Sequence, residues 1–282
     1  MPRRSRSGIA VLLLCLGLGL SKSPGATAQQ NDPPPAIAIA ALPKPALTAD
    51  EVASRLQERN REREAALRKL QGTRIYQVQY HGFFGTRDAE MVVNYNYAAP
   101  NDKEFTVVSQ SGSKFVIDHV IKGLLDGEKE AATDENHDRS ALDNRNYKFA
   151  LDDAENSRDA SQYVLDVIPK TDNKFLYRGK IWVDAKDFAV THIEAEPAKS
   201  PSFWVKKSEV HHRYEKVDDF WLPAENKTES WIRMGGHALL SIEYKDYKIT
   251  ESTPLAPVAE VGSQAPSAST KISGEAHANS LP

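Results

Sequence analysis

The sequence predicts a mainly β protein with helices, built on a curved antiparallel sheet that is apolar on one face and solvated on the other. Three observations carry this. Residues 162–250 break into short segments divided by turn residues, each alternating its side-chain type at period two. Within 175–184, Phe175, Tyr177, Ile181 and Val183 share one side while Arg178, Lys180 and Asp184 share the other. Upstream, two segments change to the helical period and supply material to cover the apolar face.

The chain opens with a targeting pattern. Arg3, Arg4 and Arg6 precede an apolar run over 9–20, and Ala26, Thr27 and Ala28 form a small-residue cleavage site, so residues 1–28 read as a signal peptide cut after Ala28. A run of about 12 apolar residues is too short to span a bilayer, which needs about 20. An exported protein is expected. The one cysteine, Cys15, lies inside that run, so the mature chain has no disulfide, thiolate nucleophile or cysteine-bound metal. Losing Arg3, Arg4, Arg6 and Lys22 removes four positive charges and takes the formal charge from −3 to −7. A mildly acidic domain has no general electrostatic attraction for nucleic acid.

Residues 29–47 are rich in Pro and Ala, with Pro33, Pro34, Pro35, Pro43 and Pro45, and read as a semi-rigid spacer. Thr48 followed by Glu51 is a capping box, and Gly72 reads as the stop of the first helix. Val52, Leu56, Ala66, Leu67 and Leu70 give it a thin apolar stripe opposite a charge-laced face from Arg55 to Glu64. Strands follow at 74–82, 89–98 and 104–110 as a meander, with a turn at Gly82, Phe83, Phe84 and Gly85.

The second helix runs over 113–131, with Ser113 as its N-cap, and carries Phe115, Val116, Ile117, Val120, Ile121, Leu124 and Leu125. So dense an apolar surface exceeds what one sheet contact buries, and the acidic stretch after it, 133–145, offers little to fix its end. It is expected to be a weakly anchored cover. A strand at 146–151 leads into the long β run, and the domain ends near 250. The Ser/Ala/Pro-rich tail, 251–282, is expected to be disordered, and the domain between, 48–250, holds one core.

Catalytic patterns are weak. His211 and His212 are adjacent in a strand and point to opposite faces, and the other histidines show no HExxH or HxH spacing and no nearby carboxylate at ligand spacing, so each is assigned a structural or surface role and no metal site is expected. Ser109 lies in no Gly-x-Ser-x-Gly motif. The acidic pairs Asp152/Asp153 and Asp218/Asp219, and Asp184 with Asp187, fall at turns, where Asp has a backbone role.

Val167, Ile168 and Pro169, the strand Gly179 to Asp184, the turn into Phe188, and Tyr214-x-x-Val-x-x-Phe-Trp-Leu-Pro223 together resemble the periplasmic lipoprotein-sorting carriers of the LolA/LolB type, over about residues 48–250. The resemblance implies an unclosed half-barrel covered by helices, periplasmic and not enzymatic, that sequesters the acyl chains of a lipid or lipoprotein and exchanges them with a membrane-bound donor or acceptor protein. A monomer without cofactor is expected. Under this reading Phe115, Val120, Leu124, Leu125, Trp182, Trp204, Trp221 and Trp231 line the site, whereas the bland reading makes the aromatics ordinary core. The same resemblance extends to the first domain of periplasmic anti-sigma regulators, and so to an alternative: an envelope-stress sensor that binds a partner protein.

Overall fold

The computed structural model describes residues 46–255 apart from 84, 101, 132–139, 157, 174, 201 and 234. The leader, nearly all of the spacer, Phe84, the first part of the acidic stretch and the tail from 256 lie outside the described residues.

Helix α1 (Ala49–Ala66) starts on the capping box: Thr48 Oγ1 accepts the Glu51 N–H at 3.3 Å, and the Glu51 carboxylate accepts the Thr48 N–H at 2.7 Å. Removing half of this reciprocal pair in Thr48→Ala is expected to lower stability by about 1 kcal/mol in urea unfolding, with the m-value unchanged. The helix buries Val52, Ala53 and Leu56 and ends at Ala66, earlier than the sequence pattern implies. Leu67 and Leu70 belong instead to strand β1 (Leu67–Gly82), because residues 249–252 pair with it: Leu67 faces Ser252 and Leu70 faces Ile249. Gly72 is therefore not a helix stop. A Cβ there would lie 2.6 Å from the Tyr247 ring, so the residue is small because an aromatic packs over the strand.

The other strands are β2 (Gly85–Ala98), β3 (Asp102–Gly112), β4 (Tyr147–Leu151), β5 (Gln162–Pro169), β6 (Tyr177–Asp184), β7 (Val190–Pro197), β8 (Val205–Val217), β9 (Phe220–Ile232) and β10 (Gly236–Ser252). They form one antiparallel ten-stranded sheet in the order β3-β2-β1-β10-β9-β8-β7-β6-β5-β4. Its edges, β3 and β4, do not meet, so the sheet is the unclosed half-barrel expected. Between β3 and β4 runs helix α2, made of an α turn at Lys114–Val116, a π segment at Ile117–Ile121 and an α segment at Lys122–Ala131. Gly112 makes the entry with φ +89°, where a Cβ would lie 2.3 Å from the Asp88 carbonyl. Ser113 sits at the N-cap without a capping side-chain bond; its N–H donates to that same Asp88 carbonyl at 2.7 Å.

Cross-strand register places one row of side chains on a single face. Met91 faces Tyr76, Tyr76 faces Ile242, Ile242 faces Asn226, Asn226 faces His212, His212 faces Ile193, Ile193 faces Ile181 and Ile181 faces Leu165. Every one of these is buried. The ends of the row anchor two apolar clusters, one under α2 and one under α1. The middle of the row, on β8 and β9, is polar.

Candidate functional site

Helix α2 lies on the first cluster. Val116, Ile117, Ile121, Leu124 and Leu125 are buried against Tyr76, Val78, Met91, Val93, Leu240 and Ile242, and Val120 is partly buried beside them. Among the described apolar side chains of α2, Phe115 alone turns away, 57 % exposed and stacked on His119. The surface that looked excessive in sequence is thus mostly taken up by three curved strands.

The far end of α2 is fastened, contrary to the expectation of a loosely held cover. Glu128 is buried, and its carboxylate meets Arg74 Nη1 at 2.5 Å and Lys103 Nζ at 3.4 Å. The Arg74 guanidinium sits 4.0 Å from the Tyr95 ring centroid and 5.2 Å from those of Phe105 and Tyr244. Burial alone would push the Glu128 carboxyl up, but Arg74 and then Lys103 outweigh it and hold the group below its ordinary value. Sequence reading missed this network, although Arg74 shares period-two parity with Tyr76 and Val78, and Glu128 lies four residues after Leu124 on the buried stripe.

Between the two clusters lies the polar band. Ser208, His212, Asn226 and Thr228 are all buried on the helix-bearing face. Ser208 Oγ and Ser230 Oγ are 2.8 Å apart, Thr228 Oγ1 donates to Asn226 Oδ1 at 3.1 Å, and His212 Nδ1 lies 3.1 Å from the Tyr214 hydroxyl. His212 Nε2 has no hydrogen-bond partner among the described residues. Burial holds this imidazole down at about 4, so the ring is neutral at pH 7 with one polar position unused. An unsatisfied buried group of this kind costs about 1–3 kcal/mol, which a bonded ligand would recover.

The tryptophans do not form one lining with α2. Trp182 alternates with buried Ile181 and Val183, so it stands on the opposite face, edge-on to His192 at 4.8 Å. Trp231 lies near His237 and Lys207 on that same outer face. Trp204 is exposed in the turn before β8 beside Phe203. Trp221 packs on the second cluster, and its Nε1–H donates at 2.9 Å to Asp187 in the β6–β7 turn. Of the eight candidates, the structure brings together Val120, Leu124 and Leu125. Of the turn acids, Asp184 and Asp152 have backbone roles, Asp184 Oδ1 accepting the N–H groups of Lys186 and Asp187 and Asp152 Oδ1 that of Glu155, whereas Asp187 turns its carboxylate to Trp221 and Lys216. A groove of about 720 Å³ beside the start of α2 is walled mainly by polar groups, among them Gln110, Ser111, Lys114 and Lys122, and does not suit an acyl chain.

The geometry defines an unclosed half-barrel whose helix-bearing face is apolar at its flanks and polar at its centre. A family of unknown function (DUF5686) matches residues 140–245, from the last turn before β4 into β10. No curated protein sequence matches the chain. Among solved structures the chain is similar to a LolA superfamily protein from Nitrosomonas europaea, at 12 % identity and TM-score 0.32, over 74 % of this chain and 96 % of that one. A lipoprotein-sorting protein domain from Vibrio parahaemolyticus, described as an outer membrane one, matches at 13 % identity and TM-score 0.35, over 72 % and 93 %. A DUF1329 family protein from Desulfovibrio piger matches at 14 % identity and TM-score 0.37, over the same shares. At these TM-scores the likenesses assign no role to any residue of this chain.

Proposed function

We propose that this chain is an exported carrier that holds the acyl chains of a lipid or lipoprotein on the helix-bearing face, under α2, while the molecule's polar group meets the β8–β9 band. The observation that supports this reading is the unused Nε2 of His212, buried where two apolar surfaces meet. An amphiphile matches that pattern, and neither a wholly apolar nor a wholly polar ligand does. Val120, Leu124 and Leu125 pack on β1, β2 and β10 in this state, so they act as a cover that admits a chain only when α2 lifts from those strands. Burying ten methylenes contributes about 8 kcal/mol at about 0.8 kcal/mol each, before ordering costs, which is sufficient for reversible carriage. Delivery would take place in the periplasm, between membrane-bound partners.

The test is binding of a fluorescent fatty acid by the parent and by Val210→Trp. Val210 is half-buried on the same face of β8 and belongs to neither cluster, so an indole there fills the site and leaves the core intact. Binding is expected to weaken by about tenfold or more, with the unfolding midpoint little changed. Equal binding by the two proteins sinks the proposal, as does mass spectrometry of natively purified protein that finds no acyl species. Recovery of a membrane-anchored regulator in place of lipid favours the sensor.

A further inference from the structure

The outer face of the sheet holds a second arrangement of chemistry-bearing side chains, independent of the carrier reading. His192 and Glu194 are two residues apart on β7 and so share a side, and the β7–β8 register sets His211 opposite Glu194. His192 Nε2 lies 3.0 Å from Glu194 Oε1, and His211 Nδ1 lies 3.8 Å from the same oxygen. One ligand atom from each residue falls within 4.8 Å of the others. In a tetrahedral zinc site with bonds of about 2.0–2.2 Å, ligand atoms stand about 3.3 Å apart. The group is therefore within a side-chain rotation of a coordination triangle, and the exposed Glu194 and His211 side chains have room to make that rotation while His192 stays braced.

The backbone under the triangle is rigid, since β7 and β8 are interior strands flanked by β6 and β9. Trp182 braces the His192 ring edge-on. The cations around the group are engaged by carboxylates of their own: Lys180 by Asp152, Lys227 by Glu225 and Arg213 by Glu215. Among the described residues Glu194 is left to the two imidazoles. Sequence reading passed over the set because half of it, His-x-Glu, lies on one strand and the other half arrives only through the register of the next.

We propose that His192, Glu194 and His211 form a binding site for a borderline divalent cation, Zn²⁺ first, with a water in the fourth position. Two imidazoles and a carboxylate are the donor set that zinc takes when one position stays open. Binding replaces the hydrogen bond between His192 and Glu194 with two bonds to the metal and ties β7 to β8 from the side opposite the clusters.

The experiment is Zn²⁺ titration by calorimetry on the full chain without a histidine tag, together with Co²⁺ absorbance as a probe of four-coordinate geometry. A single site is expected whose Kd rises at least about tenfold in His211→Ala, in Glu194→Gln and in His192→Phe, which keeps a ring against Trp182. Binding should vanish in the triple variant. Zn²⁺ should also raise the unfolding midpoint of the parent and not that of the triple variant. The proposal is overturned if the triple variant binds Zn²⁺ as the parent does, or if Kd responds to loss of another histidine, such as His237, and not to loss of His211.

Discussion

Replacing Glu128 by Leu is expected to lower stability by about 3–5 kcal/mol, because it leaves the Arg74 guanidinium buried without its counter-charge. Lys103 stands on an edge strand and can turn to water, but Arg74 is enclosed by Tyr95, Phe105 and Tyr244 and cannot. Adding Arg74→Met should return most of the loss, since a flexible apolar side chain fits that aromatic cage and no charge is stranded. Urea unfolding of the single and double variants checks this, and a single variant within about 1 kcal/mol of the parent would show that the pair does not hold the helix. The parent also carries an acid signature. A carboxyl held low in the fold stabilises above the ordinary Glu value of about 4.3, and the contribution is lost as pH falls through the lower folded value.

His212 acts in a separate and higher pH window. Its folded value of about 4 lies below the ordinary histidine value of about 6.5, so the unfolded chain takes up a proton that the fold refuses. The contribution is therefore complete above about pH 6.5 and declines as pH falls toward 4, by about 3 kcal/mol in all. His212→Phe should flatten that slope and leave the loss below pH 4.3 in place. Unfolding midpoints at pH 7.5, 5.5 and 4.5 separate the two, and parallel profiles for parent and variant would mean that the imidazole is not buried neutral.

The strands were legible because their alternation is intact where β-branched and aromatic residues dominate, as in Tyr177 to Asp184. The start of β1 was not, since Lys69, Gln71 and Gly72 break the alternation while Leu67 and Leu70 keep a helical spacing, and only pairing with the end of β10 decides between them. The sequence placed His211 and His212 on opposite faces, but which of them is buried follows from the partners Ile193 and Asn226, which no local pattern reveals. Tryptophan chemistry alone suggests one lining, whereas Ile181 and Val183 already put Trp182 on the other side. Arg74 and Glu128 were visible as charges on apolar stripes, a sign of a buried pair that shared parity alone could have raised.

The strand order has a consequence for how the sheet comes together. Every neighbouring pair of strands is consecutive in the chain except β1 with β10, where Gly82 meets Gly236 and Leu67 meets Ser252. The sheet is therefore two meanders, β1 to β3 and β4 to β10, each able to zip by local hairpins and sharing one long seam. Closing that seam costs the entropy of the whole intervening chain, and it must wait for β10 to emerge. Until then both meanders present an unpaired inner edge, and the residues of the first cluster, which draws on both sides of the seam, have no complete core to enter.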